Sequence, residues 1–188
     1  MQPAYRLSRR KFIQAALVAT AGSAATVACG RTGSSPWRFL TVDEARTLAA
    51  ACDQIIPSDD APGAAWAGVV NFMDRQLCGP YRRLRDSYRA GIAGIEKSSR
   101  LLYGSDFAVL PQDKQVELLT KMEQGKAPQE AWQKISSTEF FGLLVDHTMQ
   151  GFYGDPRHGG NRERASWKMV GLSYPMIRGR LKYDLTKG

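Results

Sequence analysis

Residues 146–161 read Asp-His-Thr-Met-Gln-Gly-Phe-Tyr-Gly-Asp-Pro-Arg-His-Gly-Gly-Asn, the densest run of chemistry-bearing side chains in the sequence. Asp146, His147, Asp155 and His158 offer two carboxylates and two imidazoles, donor types that suit a divalent transition metal. One reading is therefore a metal centre serving a stand-alone metal-dependent enzyme. Two blander readings compete with it. His147 lies on the flank of an apolar helix face and His158 sits among glycines, so both can belong to a structural loop in which His and Asp cap chain ends. The same glycines, with Phe152 and Tyr153 between them, also suit a fixed recognition surface for another protein. On that third reading the docking residues are Phe152, Tyr153, Asp155, Arg157, His158 and Asn161.

Elsewhere the sequence offers little catalytic vocabulary. With 2 His and 3 Cys and no CxxC pair, the common zinc and iron–sulfur patterns are excluded. No glycine-rich dinucleotide fingerprint follows a strand, and there is no phosphate-binding loop, haem-attachment CxxCH or HExxH. No Ser, Cys or His stands in a nucleophile motif. We therefore assign no catalytic, cofactor-binding or metal residue. Cys52 falls on an apolar helix face, where an inert buried thiol is the default; in an oxidising compartment Cys52 and Cys78 are a candidate disulfide. Arg82, Arg83, Arg85 and Arg89 make a basic helix face, either solvated or facing an acidic partner.

The chain has 188 residues, with 26 Lys+Arg against 18 Asp+Glu, a net charge of +8. Part of that charge is an address. Arg6, Arg9, Arg10 and Lys11 precede a weakly apolar, Ala-rich run from Phe12 to Ala28, the layout of an export signal. Ser8-Arg9-Arg10-Lys11-Phe12-Ile13 resembles the twin-arginine signal, with Arg9, Arg10 and Phe12 as its key residues. Thr26-Val27-Ala28-Cys29-Gly30 resembles a lipoprotein processing site with Cys29 lipidated, and plain cleavage after Ala25 or Ala28 also fits. Without residues 1–28 the balance is 22 bases to 18 acids, which suits a protein partner better than nucleic acid. The twin-arginine route carries folded proteins, and an export label without a visible cofactor site suggests a chain that travels with a cofactor-bearing partner.

These segments must be positioned by helices. Residues 1–28 read as the signal peptide, 29–40 as a Gly/Ser/Pro-rich tether and 41–188 as the folded domain. Thr41-Val42-Asp43-Glu44 is a capping box opening a helix whose apolar face holds Val42, Ala45, Leu48, Ala49, Cys52, Ile55 and Ile56, and Pro57 ends it. Further helices are expected at about 64–77, with Trp66, Val69, Val70, Met73 and Leu77, and at about 81–103, with Tyr81, Leu84, Tyr88, Ile92, Ile95 and Leu102. A helix between Pro111 and Gly125 carries Val116, Leu118, Leu119 and Met122, and a short one spans 128–135. Ser136-x-x-Glu139 repeats the capping pattern before Phe140, Phe141, Leu144, Val145, Met149 and Phe152. A last short helix surrounds Trp167 and Met169 within 162–175. No segment alternates with period two, so the expected fold is all-α, a single-domain irregular helical bundle behind a signal peptide.

Residues 146–161, followed by Ser166-Trp167-Lys168-Met169 and Gly171, resemble the C-terminal motif of the gluconate 2-dehydrogenase subunit 3 family. Ile55-Ile56-Pro57 with Asp60-Ala61-Pro62-Gly63-Ala64, and Phe140-Phe141 ahead of Asp146-His147, fit the same family over roughly residues 40–175. The resemblance implies the small subunit of a bacterial flavin-dependent sugar or polyol dehydrogenase. Its partners would be a glucose–methanol–choline (GMC)-type large subunit carrying FAD, a cytochrome c subunit carrying haem c, and the twin-arginine translocase. It implies no active site on this chain. The role it implies is to escort the large subunit through export and stabilise it in the periplasm, at the inner membrane through the complex or a lipid anchor. An envelope lipoprotein with a structural role is the remaining alternative.

Overall fold

Thr41 starts the first helix as its spacing requires. Its hydroxyl accepts from the Glu44 N–H at 3.2 Å, and the Glu44 carboxylate accepts from the Thr41 N–H at 2.8 Å, so two otherwise orphaned donors are satisfied reciprocally. Helix α1 runs Val42–Ile55 and buries Ala45, Leu48, Ala51 and Cys52. The computed structural model describes residues 36–172. The signal residues Arg9, Arg10 and Phe12 and the candidate lipidation site Cys29 lie outside the described residues.

Helix α2 spans Val69–Leu77, five residues shorter at its start than the apolar spacing predicts. Gly68 is left-handed (φ +74°), which stops the helix from extending backward. Residues 64–68 instead form hydrogen-bonded turns. Trp66, expected on the apolar face, is left 39% exposed beneath the Arg162 guanidinium, 5.6 Å from its ring centroid.

A single 3-10 turn, Arg82–Leu84, leads into α3 (Arg85–Tyr103). The stripe Tyr88, Ile92 and Ile95 is buried as expected, whereas Leu102 is exposed. Helix α4 covers Gln112–Glu123. The expected short helix after Pro128 reduces to one 3-10 turn, Gln129–Ala131. Helix α5, Ser137–Tyr153, begins with the Ser136 hydroxyl accepting from the Glu139 N–H at 3.1 Å. Helix α6 is short, Ala165–Met169. Val42, Val116 and Met149, placed on apolar faces by spacing, are also exposed. Among the described residues there is no strand, and the all-α class holds.

The core is organised on α5, which touches each of the other helices. Phe140, Leu144, Thr148 and Phe152 form one fully buried row of it. Phe140 crosses α3 at Gly91, where an added Cβ would sit 2.2 Å from the ring. Burying side chains of this size contributes roughly 1.5–3 kcal/mol each.

Residues 36–40, expected to finish a tether, lie against this bundle. The buried Asp74 carboxylate of α2 accepts from three successive N–H groups, Arg38 at 2.8 Å, Phe39 at 2.9 Å and Leu40 at 3.0 Å. Leu40 is buried. The Arg89 and Arg85 guanidiniums lie 4.3 Å and 5.1 Å from the Phe39 ring centroid. Arg89 also donates to the Phe39 carbonyl at 2.6 Å and pairs with Glu44. Part of the predicted basic face of α3 is thus spent holding the chain's own entry segment.

Candidate docking site

The glycine-rich motif is built on the C-terminal end of α5. The helix runs through Gly151 and ends at Tyr153. A helix end leaves carbonyls without intrahelical partners, and here the residues that follow supply them. The Ser166 hydroxyl donates to the Phe152 carbonyl at 2.6 Å, the Trp167 indole N–H to the Tyr153 carbonyl at 2.8 Å, and the Asn161 amide to the Gly154 carbonyl at 2.9 Å. Asn161 Oδ1 accepts from the Ser166 N–H at 3.1 Å. Gly160 passes so close to α5 that a Cβ there would sit 2.1 Å from the Gly151 carbonyl oxygen.

This stitching separates the predicted docking residues into two groups. Phe152 is 1% exposed and Asn161 is fully buried, so neither reaches the surface. Phe152 is needed by the core row of α5, and Asn161 is consumed by the loop's own backbone. Tyr153, Arg157 and His158 are exposed, with Asp155 partly so. Asp155 opens a 3-10 turn, Pro156–His158, by accepting from the Arg157 N–H at 3.0 Å. The Arg157 guanidinium closes on the same carboxylate at 2.6–3.1 Å. These bonds from Arg157 pull the Asp155 pKa down to about 2. The Arg157 carbonyl in turn accepts from Arg75 at 3.4 Å.

His147 belongs to a different environment. It is buried, and its Nδ1 lies 2.6 Å from the Tyr88 hydroxyl in a hydrogen bond. Its ring stacks on Tyr81 at 4.4 Å between centroids and runs nearly parallel to Tyr88 at 5.8 Å. Tyr81 also hydrogen-bonds Gln150. Burial pushes the His147 pKa below its ordinary value, with Asp146 opposing, and pushes the Tyr88 hydroxyl well up. Asp146 is exposed. The four residues of the metal reading are therefore not assembled: one is stacked in the core, one is held by Arg157, and two lie on the surface. Among the described residues no group of three His, Cys, Asp or Glu side chains could hold a metal ion.

The proposed Cys52–Cys78 disulfide does not form, and both are free thiols. Cys52 points into the core, where its sulfur accepts from the Thr148 hydroxyl at 3.3 Å. Burial raises its pKa to about 12. Cys78 caps the C-terminus of α2.

Sequence reasoning missed Asp74, a buried carboxylate that accepts three backbone N–H groups, since these donors lie 34–36 residues away. It also gave Ser166 and Trp167 no task, although hydroxyl and indole donors just beyond a glycine-rich helix end are the signal for one.

A family model described as gluconate 2-dehydrogenase subunit 3 matches residues 42–173. No curated protein matches the chain, and no solved structure does.

Proposed function

Because the chain belongs to the gluconate 2-dehydrogenase subunit 3 family, we propose that it is the non-catalytic small subunit of a periplasmic flavoprotein dehydrogenase acting on a sugar or polyol. Catalysis and FAD belong to a GMC-type large subunit, and a cytochrome c subunit carries electrons onward. The small subunit escorts the large one through the twin-arginine route and stabilises it afterwards. The complex sits at the inner membrane, through its other subunits or a lipid on Cys29.

The observation that carries this reading is the family match across residues 42–173. The Arg9-Arg10 label ahead of it supports the escort role, because that route moves partners already folded around their cofactors. Asn161, Ser166 and Trp167 are engaged in shaping the end of α5, which suits a scaffold for a partner. The decisive experiment replaces Arg9 and Arg10 by Lys and follows the large subunit by cell fractionation. The large subunit is expected to stay in the cytoplasm. Its arrival in the periplasm at the wild-type level would rule out the escort role.

A further inference from the structure

The first carboxylate in the sequence is Asp43, and the residues between the signal and that point carry Arg31 and Arg38. The fold adds to this positive charge. The Arg38 N–H is fixed on Asp74 of α2 at 2.8 Å. Arg85 reaches from α3 to the Leu77 carbonyl of α2 at 2.7 Å, with its guanidinium 5.1 Å from the Phe39 ring centroid. The entry segment, the end of α2 and the start of α3 therefore meet at one place. The Arg82–Leu84 turn joins the two helices there, with the Arg82 N–H on the Gly79 carbonyl at 3.1 Å.

Arg38, Arg82 and Arg83 are exposed, and Arg85 is partly so. Among the described residues none of the four pairs with a carboxylate. Of the neighbouring acids, Asp74 is buried on backbone donors, Glu44 pairs with Arg89 and Asp43 with Arg46. Asp86 in the first turn of α3 and Asp146, next to the His147 on which Tyr81 stacks, are exposed. That leaves two exposed carboxylates to four guanidiniums. Arg82, Arg83 and Arg85 also crowd the N-terminus of α3, the end at which a helix dipole favours anions and disfavours cations. An anion from outside the chain would relieve both strains.

The sequence argues for the source of that anion. Cys29, the candidate lipidation site, stands nine residues before Arg38. Nine residues of extended chain span about 30 Å at most, so a chain held at a bilayer by Cys29 keeps the four arginines near its surface. Basic residues strengthen attachment to anionic lipid within about a Debye length, and a single acyl chain anchors stably only with a second signal such as a basic patch.

We propose that the face formed by Arg38, Arg82, Arg83 and Arg85 rests on the phosphates of an anionic lipid bilayer, with residues 29–37 as its leash. The proposal rests on the export-signal reading and is independent of the escort role. It assigns Arg82 and Arg83, which the Phe39 clamp leaves over, to a surface outside the chain.

The test compares binding of the exported, processed chain to phosphatidylglycerol-containing vesicles with binding to pure phosphatidylcholine vesicles at physiological salt. The ratio cancels whatever a lipid on Cys29 contributes to both. The variants are Arg82→Gln with Arg83→Gln, and Lys114→Gln with Lys121→Gln, which removes the same charge from α4, where both lysines pair with Glu117. Each is first shown to melt like wild type. Wild type is expected to prefer phosphatidylglycerol. The arginine pair should lower that preference about ten-fold, and the lysine pair should leave it within about two-fold. Salt raised to roughly 1 M should erase the wild-type preference. An arginine-pair preference within about two-fold of wild type overturns the proposal, and so does an equal loss from the lysine pair, which makes net charge the cause. An arginine pair that keeps the preference but loses the large subunit overturns it in favour of an acidic protein surface. A wild-type chain without the preference also overturns it, and leaves the export reading standing unless the chain with Arg9→Lys and Arg10→Lys is still exported.

Discussion

Asp74→Asn tests whether one buried carboxylate joins the entry segment to the fold. In the native chain Oδ1 accepts from Phe39 and Leu40, and Oδ2 from Arg38. An asparagine keeps Oδ1 but turns the second position into an NH2 group facing the Arg38 N–H. One bond to a charged acceptor is lost and two become neutral. Bonds to charged groups contribute about 1.5–3 kcal/mol and neutral ones about 1 kcal/mol. The expected loss is therefore at least about 2.5 kcal/mol, which for a domain of this size lowers Tm by roughly 5–10 °C or more. Asp74→Ala, which leaves all three donors without an acceptor, should fall further. Thermal melts give the global effect, and amide hydrogen exchange locates it at residues 38–40. An Asp74→Asn chain melting within about 2 °C of wild type, with those amides still protected, would refute the clamp.

Alkylation distinguishes the two thiols. With its pKa raised to about 12, Cys52 holds almost no thiolate at neutral pH, so iodoacetamide should modify Cys78 in the native protein and Cys52 only after denaturation. Peptide mass spectrometry reads both sites, and a Cys52–Cys78 bridge in purified material would contradict the structure. His147 predicts a pH dependence. Its folded pKa lies below the unfolded value of 6.5, so the unfolded state binds the proton more readily. The stability it contributes is complete above about pH 6.5 and is lost as pH falls through the folded pKa. Urea midpoints at pH 7.5 and 5.5 should show the decline, and His147→Phe should flatten it. Asp155, at about 2, has the opposite starting form and loses its contribution only below about pH 4, so the two windows are separable.

What could be read in advance was local. Thr41 and Glu44 announce α1 because a capping box needs only four residues, and Tyr88, Ile92 and Ile95 mark their helix because 3.6-residue spacing survives any tertiary context. The start of α2 was hidden because Gly68 is left-handed, a property of the dihedral and not of apolar spacing. The docking residues divide along the same line. Phe140, Leu144 and Phe152 were legible as part of an apolar face, and on that ground Phe152 belonged inside; Thr148, which completes their buried row, was not. Asn161 gave no such warning, since its partners are the carbonyl of Gly154 and the amide of Ser166. The metal reading failed because donor types can be counted in a sequence but their directions cannot. His147 faces two tyrosines, and Asp155 faces an arginine two residues on.

The clamp at residues 38–40 also decides how the molecule bears force. A pull on the N-terminal segment does not reach Thr41 and unravel α1 from its first turn. It meets three hydrogen bonds anchored on one carboxylate, and an aromatic ring and carbonyl gripped by arginines of α3. The load is shared among these contacts and passes sideways into α2 and α3. A chain drawn forward by its leading end would thus be towed by its middle helices, with its first helix slack behind the hitch.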